Sequence, residues 1–262
     1  MLFVIDFFCF IITPMKEILK LKEVDSTNRY ALDHFADLAD SSLVMADSQS
    51  AGRGRRGKSW VSPPGINLYA SYIVKEPQFP IGRSLWCGGL AALITLVEYT
   101  PETEIWLKWP NDICCSSPGN SGFKKIAGLL AETWTPSASN RIAGVVVGIG
   151  INLNMSRQLL DKIDQPATSI LAESGKEVNI AEFAEKLLEN LTLMRKIAED
   201  DPEKFFEIYS GANGLTGRKI TIKTDPNSIC TGTVKGVTEE GAILIEDENC
   251  EVRTIMTGDV NY

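Results

Sequence analysis

The chain has 262 residues and formal net charge −8, with 44% hydrophobic and 23% charged residues, enough for one large soluble domain and a small one. That acidity leaves no basic face for general nucleic-acid binding. Six cysteines without a CxxC spacing and a lone histidine, His34, exclude a zinc cluster and a multi-histidine site and favour a reducing, cytoplasmic setting.

Residues 1–13, MLFVIDFFCFIIT, are apolar but short of the ~20 residues that span a bilayer. They carry Asp6 and no basic start, unlike a signal peptide. Residues 1–14 are expected to be a non-native or structureless leader, with translation starting at Met15. Residues 18–24 read as a strand. Asp25, Ser26, Thr27 and Asn28 offer N-caps for a helix carrying Tyr30, Ala31, His34, Phe35 and Leu38. Capping alone would explain those polar residues.

A short buried strand at 43–46 delivers the chain into residues 49–60, QSAGRGRRGKSW, and a second strand at 67–74 leaves it. The stretch between them holds three glycines, three arginines and a lysine, and no acid. Gly52, Gly54 and Gly57 let the backbone approach a ligand closely. Arg53, Arg55 and Arg56 offer planar forks for phosphate or carboxylate oxygens. Like charges crowded onto a flexible backbone should order around an anion. The stretch alone does not say which anion.

Residues 84–99 read as an apolar helix against a sheet, with Gly88 and Gly89 permitting close approach. A strand at 105–109 ends at Pro110-Asn111-Asp112. Lys108 there has the pattern of a snorkelling surface lysine, and Asn111-Asp112 that of a turn. Residues 114–123, CCSSPGNSGF, are a loop by composition, and KKIAGLLAE at 124–132 starts a strand. The β-branched run IAGVVVGIGINL at 142–153 is the central-strand candidate. Gly148 and Gly150 mark a place where something lies on the backbone, with Asn152 and Asn154 beyond. Residues 179–208 are helical, with a capping box at Asn179 and Glu182 and a second start at Asp201-Pro202. From Gly214, KITIKT, CTGTVKGV, AILIE and EVRTIM are four short strands of a small SH3-like barrel. The boundary is expected near 212–214, giving domains 15–212 and 213–262.

The order DSTN, QSAGRGRRGKSW, KWPND, KKIAGLLAE, VVVGIGINLN and a small barrel resembles the biotin protein ligase family across about residues 15–262. The resemblance implies an α/β (α+β) catalytic domain on a mixed sheet, like class II aminoacyl-tRNA synthetases, then an SH3-like domain. It implies an enzyme that joins biotin to the α-phosphate of ATP, with Mg2+, and passes biotin from biotinyl-5′-AMP to a lysine of a biotin carboxyl carrier protein or domain, as in acetyl-CoA carboxylase. It places Ser26, Thr27, Asn28, Gln49 and Gly52 around biotin. Arg53, Arg55 and Lys125 become the catalytic cations at carboxylate and phosphate, with Gly128 beside them. ATP falls to Arg55, Arg56, Lys58, Trp60 as an aromatic wall, Lys108, Asn111, Asp112 and Asn152. Metal ligands stay unassigned. Loop closure would shield the adenylate from water and make the two ligands cooperative.

Two features depart from the family pattern. DSTN begins at residue 25, leaving too little chain for the winged helix-turn-helix of many bacterial relatives, so DNA is not an expected partner; nor is a membrane, while a homodimer stays open. Residues 114–123 look long for the turn expected there, which would disturb Asp112 and Lys125. The rival readings are a lipoate–protein ligase of the same fold and a non-enzymatic nucleotide- or biotin-sensing adaptor.

Overall fold

The structure, a computed structural model, describes residues 17–116, 122–137, 139–225 and 228–261. The apolar leader, Met15 and the centre of the 114–123 stretch lie outside them. The elements are β1 (Ile18–Val24), α1 (Thr27–Asp33), β2 (Leu43–Gln49), β3 (Leu68–Lys75), α2 (Arg83–Tyr99), β4 (Glu104–Lys108), β5 (Asp112–Ser116), β6 (Lys124–Trp134), β7 (Gly144–Ile151), α3 (Arg157–Leu160), α4 (Ile170–Ser174), α5 (Ile180–Asp200), α6 (Pro202–Ala212), β8 (Lys219–Asp225), β9 (Ser228–Val237), β10 (Ile243–Glu246), β11 (Val252–Ile255) and β12 (Asp259–Asn261).

A seven-stranded sheet runs β1-β2-β3-β7-β6-β5-β4. β1 and β2 are parallel and every other neighbouring pair is antiparallel, which makes the sheet mixed. β7 is its middle strand, as the β-branched run predicts, and Val145, Val146, Val147, Ile149 and Ile151 are buried on it. The two-residue period of β6 and β7 sends their faces apart. Leu129 and Val147 meet α2 at Gly88, where a Cβ would stand 2.9 Å from each. α2 packs on α5, and α1 covers the opposite face against β2, β3 and β7.

The C-terminal strands form a five-stranded antiparallel sheet, β11-β10-β9-β8-β12. Four of these strands are those expected; β12 is a fifth. Ile220, Ile222, Val234, Ile243, Ile245 and Val260 join the same hydrophobic cluster as Leu107, Phe205 and Tyr209, so the small sheet shares the large domain's core.

Several expectations are corrected. α1 stops at Asp33, and His34 is its exposed C-cap rather than an interior residue. There its Nδ1 lies 2.9 Å from Tyr30 O, and its ring stacks on Tyr30 at 4.1 Å between centroids. The residues read as a loop from Cys114 instead begin in a strand: β5 pairs with both β4 and β6. Cysteines and serines are uninformative about pairing, and burial on both faces decided it. Asn179 caps α5 by accepting from Ala181 and Glu182 backbone N–H groups, but Glu182 answers the Asn179 side chain rather than its backbone, so the box is incomplete. Asp201 caps α6 with Pro202 in its first turn, as predicted. The short helices α3 and α4 carry no period long enough to be read from sequence.

Candidate active site

The pocket lies on the face of β6 and β7 opposite α2, with α1 on one side and residues 49–60 across it. Its lining includes Ser26, Thr27, Asn28, Gln49, Arg53, Arg55, Lys58, Trp60, Asn111, Asp112, Lys125 and Gly128, twelve of the residues singled out from sequence. Four cations and two carboxylates, Asp112 and Asp259, line it. A chain of net charge −8 thus keeps a net positive pocket, which favours anionic ligands.

The end against α1 is neutral. None of Ser26, Thr27 and Asn28 spends its side chain capping α1, so the capping explanation fails. Instead the Thr27 backbone N–H donates to Gln49 Oε1 at 2.9 Å, satisfying a helix N-terminal donor from another strand. Thr27 Oγ1 lies 3.3 Å from the same oxygen. Gln49 Nε2 donates to Ser62 Oγ at 3.0 Å, which fixes the amide's orientation. Ser71 Oγ lies 2.8 Å from Thr27 Oγ1 and 2.6 Å from Asn28 Oδ1. Asn28 Nδ2 donates to Leu130 O and to Glu132 Oε2. Ser26, Thr27, Asn28 and Ser71 are all buried. Gly148 makes room for them, since a Cβ there would stand 2.5 Å from Asn28 Oδ1.

The other end is charged. Lys125 Nζ lies 2.7 Å from Asp112 Oδ1, an ion pair by distance although that oxygen has no partner in hydrogen-bonding geometry. Lys125 also sits 5.2 Å from the Trp60 ring centroid. Arg55 donates to Asn111 Oδ1 at 3.2 Å and to Thr257 Oγ1 at 3.0 Å. Asn111 is itself fixed to β6 through Leu129 O at 2.7 Å. Burial, then the neighbouring Arg56, pulls the Arg55 guanidinium below its ordinary value, with Asp259 and Asp112 acting the other way; it remains a cation. The strand residues Cys114 and Cys115 are buried, and burial pushes both thiols up to about 12, which removes them as nucleophiles near neutral pH.

The floor between the two ends is bare backbone. Trp60 lies flat on it: a Cβ at Gly150 would come 2.5 Å from the indole, and one at Gly128 would come 2.9 Å from both the indole and Lys125 Nζ. The loop that carries Trp60 is folded back on itself. Arg53 bridges Ser59, Gly54 N donates to Lys58 O, and Trp60 N donates to Gly52 O.

Four predicted residues stand elsewhere. Gly52 is buried under the loop, where a Cβ would strike Trp60 O at 2.6 Å, so it shapes the loop. Arg56 points away from the pocket, donating to Asp259 Oδ2 and Thr224 O of the C-terminal sheet. Lys108 lines an adjoining cleft with Lys125 and Asp112 and donates to Val260 O. Asn152 is buried and donates to Thr168 O. Arg53 lines the pocket but also pairs with Glu132 at 2.8 Å. β5 places Asp112 beside Gly128 in register, and the ladder to β6 shifts by one residue between Ile113 and Cys114, which sets Cys114 opposite Lys125. Sequence reading missed Ser71, Gln165, Glu132 and Asp259. A serine in the apolar run NLYASYIV and an acid closing KKIAGLLAE were the available signals for Ser71 and Glu132; Gln165 and Asp259 had none.

Residues 21–152 match the biotin/lipoate A/B protein ligase family, and residues 216–261 match the biotin protein ligase C-terminal domain. The chain is 34% identical to a biotin–[acetyl-CoA-carboxylase] ligase of Paracoccus denitrificans over 86% of this chain and 92% of that one. It is 30% identical to the bifunctional ligase/repressor BirA of Salmonella typhimurium, over 92% of this chain and 72% of the relative. Its fold superposes with a TM-score of 0.77 on a biotin protein ligase from Aquifex aeolicus solved with biotin and ATP, 28% identical, covering 94% of this chain and 98% of that one. With the neutral wall, the cationic end and the small C-terminal sheet in one molecule, the chain belongs to the biotin protein ligase family.

Proposed function

We propose that the chain activates biotin with ATP and transfers it to a lysine of a biotin carboxyl carrier protein or domain. A carboxylate oxygen of biotin attacks the α-phosphorus of ATP, giving biotinyl-5′-AMP and releasing pyrophosphate. The carrier lysine's amine then attacks the acyl carbon, and AMP leaves. The observation that carries this reading is the division of one pocket into a neutral hydrogen-bonding end and a cationic end over a glycine floor. A cyclic urea needs donors and acceptors together, and Thr27, Asn28, Gln49 and Ser26 supply both. A carboxylate and a phosphate brought together need cations, and Lys125 and Arg55 stand where the two would meet.

In this assignment Lys125 offsets charge that grows in the adenylation transition state, held in place by Asp112. Arg55 orients the phosphate from a fixed position on Asn111 and Thr257. Trp60 covers the floor and offers an aromatic face to the adenine. Asp112, a carboxylate of the pocket lining beside Lys125, is the group that would hold Mg2+. Among the described residues no group of three or more His, Cys, Asp or Glu forms a protein cage, which suits an ion held by one or two carboxylates together with substrate phosphates. Bound there, it would supply neutralisation of phosphate charge.

Pyrophosphate release by the purified chain tests the reading. Release should require both biotin and ATP, and a carrier domain should gain the mass of one biotinyl group, biotin less one water. Lipoic acid supporting the reaction in place of biotin would assign the chain to the sister activity; no release with either acid would remove the enzymatic reading.

A further inference from the structure

Glu132 borders the site in the cleft beside the glycine loop, and the reaction above gives it no role. On β6 the two-residue period sets Gly128, Leu130 and Glu132 on the site face. One oxygen of Glu132, Oε2, accepts from Arg53 Nη2 at 2.8 Å and from Asn28 Nδ2 at 2.9 Å. These donors belong to different parts of the site. Asn28 is buried, with its oxygen 2.6 Å from Ser71 Oγ and against Gly148. Arg53 rides on the glycine loop, and its side chain is 41% exposed. A single carboxylate oxygen therefore fastens the loop to the neutral wall.

We propose that Glu132 is a positioning residue that couples the two ends of the pocket; this rests on the ligase reading above. A ring seated against Thr27 and Asn28 holds the Asn28 amide, the amide holds Glu132, and Glu132 holds Arg53 and the loop that carries Arg55 and Trp60. A nucleotide that needs the loop in place then meets a smaller ordering cost. The coupling is reciprocal, so nucleotide must tighten biotin by the same factor. As a partly exposed ion pair, Arg53–Glu132 contributes little to global stability, so its loss should appear in the coupling rather than in the fold. Glu132→Gln keeps the size of the side chain and one acceptor oxygen but removes the negative charge, so the charge-assisted bond to Arg53 is reduced to a neutral one.

Titration of biotin into the full chain, with and without a non-hydrolysable ATP analogue, measures the coupling. In the parent chain the analogue should tighten biotin about fivefold or more; in E132Q the factor should fall to below about twofold, with the melting temperature nearly unchanged. Arg53→Gln should reduce the factor equally, and the double substitution should reduce it no further. If E132Q fails to fold, R53Q removes the same ion pair from its exposed side and must still reduce the factor. A parent chain that binds no biotin overturns the ligase reading and this inference with it. Biotin binding with the coupling intact in E132Q, or absent in the parent, overturns only the role of Glu132.

Discussion

At one end of the pocket Thr27, Asn28, Gln49 and Ser71 hydrogen-bond to one another through neutral groups on a helix start and two strands, all but Gln49 buried. At the other end Lys125, Asp112, Arg55 and Asn111 are only partly buried and carry the charge. Neutral groups cost less to bury and keep their geometry without counter-ions, so the first end is suited to recognition. Charges at a half-open end keep enough of their field to act on a developing transition state while leaving a way in and out. On the proposed reading, binding falls to one end and chemistry to the other, and substitutions can separate the two.

The largest effect is expected from Lys125→Gln. Removing one such electrostatic contact costs roughly 3–4 kcal/mol in barrier, so pyrophosphate release should fall by two to three orders of magnitude. Biotin affinity, read by calorimetry, should change far less. An equal loss in both would mean that the charged end also recognises the ligand. Gly128→Ala comes next. A Cβ there would press on Lys125 and Trp60 at 2.9 Å, and both are side-chain ends that can yield. The fold should therefore survive while the cation is displaced, and misplacement on the scale of 1 Å lowers rate by up to about a hundredfold. A normal turnover in the alanine variant would show that the floor has slack.

Thr27→Val probes the neutral end. It removes one hydroxyl at almost constant volume, but the Thr27 backbone N–H still donates to Gln49 and Ser71 still reaches Asn28. The wall should hold its shape while losing a partner for the bound ring, a loss of about 1–3 kcal/mol. KM for biotin should rise roughly tenfold or more with kcat nearly constant. A fall in kcat instead would put Thr27 at the chemical end.

Much of this was legible in the sequence, unevenly. The β-branched run 142–153 announced the middle strand, and the Gly/Arg stretch announced the cationic lining of the pocket, because both are dense local signals. Ser26, Thr27, Asn28, Gln49, Lys125 and Gly128 were found through motif order, and the pocket unites them. What stayed hidden depends on pairing distant in sequence. Asn28 meets Glu132 across 104 positions and Arg56 meets Asp259 across 203, and nothing near either residue signals its partner. The small C-terminal sheet read as an independent module, because alternation in its strands is local. Its Thr257 and Asp259 contacts to the glycine loop, and the core it shares with α6, are tertiary facts.

The smallest effect is expected from Arg56→Gly, and it tests where the chemical end stops. Arg56 adopts φ 53° and ψ 38°, the left-handed region, which costs a side-chain-bearing residue about 1–2 kcal/mol. Its ion pair with Asp259 is 35% and 39% exposed on the two sides, and such pairs contribute about 0–1 kcal/mol. Glycine relieves the backbone strain, loses the ion pair and adds unfolded-state freedom of about 0.4–1 kcal/mol, so the three contributions nearly cancel. The melting temperature should move by no more than a few degrees. Because the Arg56 guanidinium points to the C-terminal sheet rather than into the pocket, the rate of pyrophosphate release should change by less than about threefold, well below the effect at Lys125. A drop of tenfold or more with an intact fold would mean that Arg56 leaves Asp259 during turnover and reaches the phosphates, and the charged end would then extend along the whole glycine loop.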